Sequence, residues 1–175
     1  QVTDLKIENN EIVAVQINHE QWIETKAVVL AIGHSARDTF ETLLERKVPM
    51  RSKAFAVGVR MEHPQSLINE NQYGKDYPDS LPAAAYKLTR KVADERGVYS
   101  FCMCPGGYVV NASSEEGMTA VNGMSYNARA GENANSAMII SVRPEDFGSD
   151  EPLAGVEFQR KLEKAAYREG HGKIP

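Results

Sequence analysis

The residues best suited to chemistry fall in a few short stretches. In Phe101-Cys102-Met103-Cys104-Pro105-Gly106-Gly107 both cysteines of the chain lie two positions apart, on one face if the stretch is a strand. The glycines after Pro105 predict an irregular turn that brings bare backbone to the surface. Such thiols can cycle as a dithiol, ligate a metal or pack as small hydrophobes. A metal is poorly supported, because two thiolates need two further ligands and the four histidines, His19, His34, His63 and His171, show no paired ligand spacing. A disulfide across one intervening residue would be strained, which argues against a structural bridge. Packing and redox use both stay open.

Arg60 is a candidate anion clamp if it faces a cleft, and otherwise pairs with an acid. Asn133, Asn135 and Ser136 carry amide and hydroxyl groups that suit a ligand or, equally, a turn. His34 and His63 can donate a ring N–H to a bound group or to a neighbouring loop. No residue stands out as a general base.

These residues need elements to position them. The first residues alternate as strands, with Leu5 and Ile7 on one face and Val13, Val15 and Ile17 following the polar turn Glu8-Asn9-Asn10-Glu11. A third strand starts at Trp22. Ala27 to Ile32 is apolar on both faces, as a strand buried in a parallel sheet would be, and ends at the corner Ala31-Ile32-Gly33-His34-Ser35. Gly33 can take a left-handed turn or admit another group to the backbone. Ser35, with Asp38 three residues on, is set to cap a helix whose apolar side is Phe40, Leu43 and Leu44, running up to Val48-Pro49.

Beyond it, Phe55 to Met61 alternates as a strand, Pro64 opens a short helix that Gly74 ends, and Tyr86–Val92 with Val98–Cys104 predicts a hairpin around Asp94-Glu95-Arg96-Gly97. Lys87, Arg90, Lys91 and Arg96 read as its solvated edge. Met138–Val142 is a last apolar strand and Val156–Glu169 a closing helix.

Composition narrows the classes. With 20 basic and 24 acidic residues and a net charge of −4, the chain offers no broad positive field for nucleic acid or an anionic membrane. Its longest apolar run is too short to span a bilayer and no leader pattern opens it, so a cytoplasmic location is the default expectation. The sequon at Asn111-Ala112-Ser113 is read as chance.

The meander through "IENNEIVAVQIN" and "WIETKAVVLAIGHSARDTF", with "RSKAFAVGVRMEHPQSLINENQYG", "GVYSFCMCPGGYVVNASSEEGM" and "NGMSYNARAGENANSAMIISVRPEDF", resembles the predicted FAD-dependent dehydrogenases, also described as NAD(FAD)-utilizing dehydrogenases, among the two-dinucleotide-fold flavoproteins. The resemblance implies an internal piece of a longer oxidoreductase that moves a hydride or electron pair between a small-molecule substrate and flavin, with NAD(P) as a possible second partner. It implies an α+β chain: residues 1–35 as a β-meander and the last strand of an α/β FAD-binding domain, and residues 36–175 as an antiparallel, β-rich substrate domain. It puts Ala31, Gly33 and His34 beside the cofactor, and makes Gly106, Gly107, Asn135 and Ser136 further candidate contacts. Cys102, Cys104 and Arg60 are the candidates for chemistry.

The G-x-G-x-x-G fingerprint of such flavoproteins does not occur in the sequence. The expected partner is therefore the remainder of a longer chain, and the isolated chain is not expected to retain FAD. Two rival readings stand beside this one: a binding or interaction module on a similar scaffold, and a thiol redox protein using Cys102 and Cys104.

Overall fold

Asparagine is among the few non-glycine residues that readily take a left-handed backbone, and Asn9 and Asn10 both do, at φ 52° and 63°. That conformation closes the tight turn between β1 (Val2–Glu8) and β2 (Glu11–Ile17), which pair antiparallel with Leu5 opposite Val15. Asn18 and His19 repeat the left-handed pair at φ 51° and 61°, and β3 (Gln21–Glu24) returns along β2. The meander read from the sequence is thus present in the computed structural model, which describes residues 1–173. Leu5 and Ala14 are its buried residues.

Helix α1 (Arg37–Glu45) turns Leu43 inward. Just beyond it Arg46 donates to both carboxylate oxygens of Asp4 on β1, with Nε at 2.7 Å. That hydrogen bond from Arg46 is the main cause holding the Asp4 carboxyl below its ordinary pKa.

The corner before α1 differs from expectation. Residues 27–32 form no strand; Val29 is 90% exposed, and Leu30 and Ile32 are exposed too. A strand exists only through a ladder partner, and among the described residues no sheet includes this segment. Ser35 does not cap the helix: Ala36 occupies that position without a side-chain hydrogen bond, and Asp38 accepts instead from the amide of Thr39 at 2.8 Å. The helix stops at Glu45, short of Val48.

The chain divides into two compact units, one of Gln1–Lys53 with Phe147–Phe158, the other of Ala54–Asp146 with the chain from Gln159 on. The second unit is built on β4 (Phe55–Pro64), β5 (Thr89–Lys91), β6 (Gly97–Cys104) and β9 (Asn133–Val142), in the order β4-β9-β6-β5. β7 (Gly107–Asn111) and β8 (Val121–Ser125) form a separate antiparallel pair that the sequence reading missed. Helix α2 (Gln65–Tyr73) follows Pro64 directly and ends at Gly74, as expected. Helix α3 (Ala154–Glu169) closes the fold. Among the described residues every paired strand is antiparallel and three α-helices accompany the sheets, so the chain is α+β.

Asn133, Asn135 and Ser136 lie in β9, not in a turn, because β4 pairs with that strand along its whole length, from Phe55 opposite Val142 to Pro64 opposite Asn133. No described helix is long and apolar enough to cross a membrane.

Lys87, Arg90 and Lys91 are exposed at the β5 edge, as read, but Arg96 is not a solvated residue. It forks onto Asp146 with both nitrogens at 2.7 Å, and the Arg143 amide adds a third bond at 2.8 Å. This ties the turn between β5 and β6 to the segment leaving β9. Arg96 first, and the Arg143 amide second, pull the Asp146 carboxyl down to about 2. A carboxyl depressed on folding contributes stability that is present above its unfolded pKa and lost as pH falls through the folded value. The thermal midpoint of the chain should therefore drop between about pH 4, the ordinary aspartate range, and about pH 2. In Asp146→Asn, circular dichroism should show a shallower drop in that window; an identical drop in both proteins would rule out this pair as its source.

Candidate functional site

Arg60 on β4 stands opposite Ala137 on β9, which in turn stands opposite Phe101 on β6, so the three share one face of the sheet. After Phe101 the register slips, and the next pair is Cys104 with Asn135. Two residues of β6, Cys102 and Met103, are thus accommodated against one of β9, which is a bulge. Cys102 takes φ 46° to make it. The two cysteines consequently do not share one regular strand face, contrary to the reading of the stretch as an unbroken strand.

The bulge re-aims the backbone at Arg60. Nη1 of Arg60 donates to the Cys102 carbonyl at 3.0 Å and to Oδ1 of Asn135 at 2.6 Å, and lies 4.0 Å from Sγ of Cys104. The Cys104 thiol donates to the Cys102 carbonyl at 3.3 Å. Both thiols are free, Cys102 exposed and Cys104 half-buried. Asn135 is fully buried, and its Nδ2 has no hydrogen-bond partner; such an orphan donor costs about 1–3 kcal/mol. Gly123 on β8 lies against this cluster so closely that a Cβ there would sit 2.0 Å from Oδ1 of Asn135 and 2.1 Å from Nη1 of Arg60.

Ser136 is also fully buried, but alternation along β9 turns it to the opposite face from Asn135. Its hydroxyl bonds the carbonyls of Ala137 at 3.2 Å and Phe101 at 3.4 Å. Gly106 and Gly107 are buried, so the turn after Pro105 does not bring bare backbone to the surface. The Gly106 amide donates to Oε1 of Gln65 at 2.8 Å, and at φ 56° its missing Cβ would meet the Arg129 carbonyl at 1.8 Å. The glycine is required by close packing of backbone on backbone.

Glu62, two residues from Arg60, spends its carboxylate on the Val109 amide at 2.8 Å and on Nδ2 of Asn133 at 2.7 Å. His63 shares a 2.9 Å hydrogen bond between Nε2 and the Tyr86 hydroxyl, and its Nδ1 is buried without a partner. Sequence reasoning missed the parts of Gln65, Glu62 and Gly123. The one available signal was a glycine inside a strand pattern, which marks close approach.

Ala31, Gly33 and His34 belong to the other unit and are exposed. Gly33 takes φ 69° with nothing within 4 Å of where a Cβ would point. Val28, Leu30 and Ile32, with Val2, Leu5 and Leu43, are among the residues lining a cavity of about 530 Å³ in that unit. Among the described residues no group of three or more His, Cys, Asp or Glu could hold a metal ion.

The larger unit is an antiparallel α+β domain in which a half-buried guanidinium meets a buried amide. Residues 54–175 match the family described as FAD-dependent protein, C-terminal domain-like, and the chain belongs to that family. It is also 57% identical over 152 residues, or 86% of its length, to a protein of Clostridium beijerinckii (strain ATCC 51743 / NCIMB 8052) described as an uncharacterized protein. The chain spans 28% of that relative's length.

Two substitutions test the cluster. Gly123→Ala should displace Arg60 or Asn135 and lower stability by about 1–3 kcal/mol, as overpacking does, seen as an earlier urea midpoint; no change would contradict the close approach. Cys102→Gly should move the midpoint the other way, by about 1 kcal/mol, since glycine adopts the left-handed bulge without the penalty an L side chain carries. A loss of stability there would show that the bulge is unstrained.

Proposed function

We propose that this chain is the substrate-side portion, with a short stretch of the cofactor-side portion, of an FAD-dependent oxidoreductase that moves a hydride or electron pair between a small molecule and flavin. The observation that carries this reading is the match of residues 54–175 to a family of FAD-dependent proteins. The residues present fit the cofactor only in part. At the Ala31-Ile32-Gly33-His34 corner the backbone is exposed and unencumbered at Gly33, which suits close approach by a ring or ribose. No glycine-rich phosphate cradle occurs in the sequence, so these residues offer a contact and not a holding site.

FAD supplies the redox step itself when bound. This chain contributes contacts: the Gly33 corner in the smaller unit for the cofactor, and in the larger unit Arg60 as a polar group for a substrate. NAD(P) is a second electron partner compatible with the reading. The exposed apolar segment 27–32 suits pairing with further strands of a FAD-binding domain, such as a relative several times longer has room for.

The purified protein comprising this chain and the rest of such a longer sequence should be yellow, with the absorbance bands of oxidised flavin and release of FAD on heating. The 175-residue chain alone should not retain FAD. A colourless longer protein that releases no flavin and gains none on reconstitution would overturn the reading.

A further inference from the structure

We infer that Arg60 anchors a binding site for an organic carboxylate on the β4-β9-β6 face; its use as a substrate contact rests on the flavoenzyme reading above, while the site itself does not. The contrast with three other arginines motivates this. Arg46 meets Asp4, Arg96 meets Asp146 and Arg160 meets Glu115, each with a carboxylate. Arg60 is half-buried, yet its hydrogen bonds go to a carbonyl and an amide oxygen, both neutral, with a thiol sulfur 4.0 Å away. Among the described residues no acid lies within ion-pair distance of it. Glu62, opposite Asn135 on the same face, keeps its charge but turns both oxygens to neutral donors, the Val109 amide and Nδ2 of Asn133, and makes no ion pair with Arg60. A guanidinium is always charged, and a partly desolvated charge without a counter-ion favours an incoming anion.

The geometry fixes which edge of Arg60 is offered. All three contacts fall on Nη1, so Nε and Nη2, which have no acceptor among the described residues, remain side by side as the fork that fits a carboxylate. Three features hold the fork in place: the buried Asn135 amide with its unpartnered Nδ2, the left-handed bulge at Cys102, and Gly123, where any side chain would strike Arg60. Asn135 is here a positioning residue. The rest of the ligand has a place to lie, since Arg60, Ala137 and Phe101 form one row across three strands, spanning about 10 Å. Ala137 is the small residue in its middle and Phe101, 54% exposed, supplies an apolar side chain at its end. An acid with a flat or apolar body matches this row better than a bare phosphate does.

Benzoate, inorganic phosphate and chloride, each titrated at constant ionic strength into the isotope-labelled 175-residue chain, provide the test through amide NMR shifts of Cys102, Met103 and Ala137. Benzoate should give saturable shifts, with phosphate at least about tenfold weaker and chloride without effect. Arg60→Met should abolish the shifts, and Arg60→Lys should retain charge-driven binding weakened about tenfold through loss of the fork. Asn135→Asp should keep the fold, because it hands Arg60 an internal counter-ion, and should lose benzoate binding for the same reason. Phosphate binding as tightly as benzoate would overturn the carboxylate assignment in favour of a nucleotide phosphate. Absence of saturation, or shifts unchanged in Arg60→Met or in Asn135→Asp, would overturn the site. None of these readouts involves flavin, so a flavin-free longer protein would leave them standing, and a flavin-bearing one would not rescue them.

Discussion

The larger unit depends on one constraint: β9 is paired on both edges, by β4 along all ten of its residues and by β6 on the other side. A strand held this way buries the side chains near its start, and here those are Ala134, Asn135 and Ser136. Two of the three are polar. Buried polar groups must be satisfied from within the fold, and β9 satisfies them asymmetrically. Ser136 finds backbone carbonyls on its own side, whereas Asn135, on the opposite face, finds the guanidinium of Arg60. The ladder between β4 and β9 therefore brings a cation inward, and the shape of everything around it follows from that.

The bulge in β6 is the second consequence. Had β6 continued in register past Phe101, its next carbonyl would have kept to the ladder. The extra residue instead turns the Cys102 carbonyl onto Arg60 at 3.0 Å. β7 and β8 must then pass close to this cluster, which is possible because Gly123 carries no side chain and because Gly106 and Gly107 let neighbouring backbone approach. Three local departures from strand economy, an orphan amide nitrogen, a left-handed cysteine and a glycine inside a strand, thus concern one guanidinium. Departures of this kind concentrate where a fold holds a group ready for a ligand.

What the sequence made legible was what local chemistry decides. The asparagine turn between β1 and β2, Pro64 and Gly74 bounding α2, and the amphipathic α3 follow from backbone preferences a few residues long. The segment 27–32 was misread because its apolar run matches a buried strand in composition, while a strand is made by its neighbours and none pairs with it here. The asparagine-rich start of β9 was ambiguous for the reverse reason: its residues favour turns, and pairing with β4 overrides them. At the site, Arg60, Cys102 and Asn135 could each be singled out as able to do chemistry, yet their meeting depends on register across three strands and on a bulge that periodicity assumes away. Gln65 and Gly123 act entirely through such long-range contacts and left almost no local trace.

The arginines separate structural charge from charge held in reserve. A fork onto a carboxylate spends the guanidinium: Arg96 and Asp146 close one on the other, and both of them shift in pKa as partners do, the arginine upward and the aspartate downward. Such a pair fastens two segments and presents little net field to a ligand. Arg60 is held by two hydrogen bonds from Nη1, but to neutral atoms, so its position is set without a carboxylate in contact. Replacing Asn135 with an acid would have been the simpler way to fix the side chain and would have satisfied the buried partner as well. An amide in that position keeps the geometry and forgoes the neutralisation, which is the arrangement a fold needs when the counter-ion is to arrive from outside.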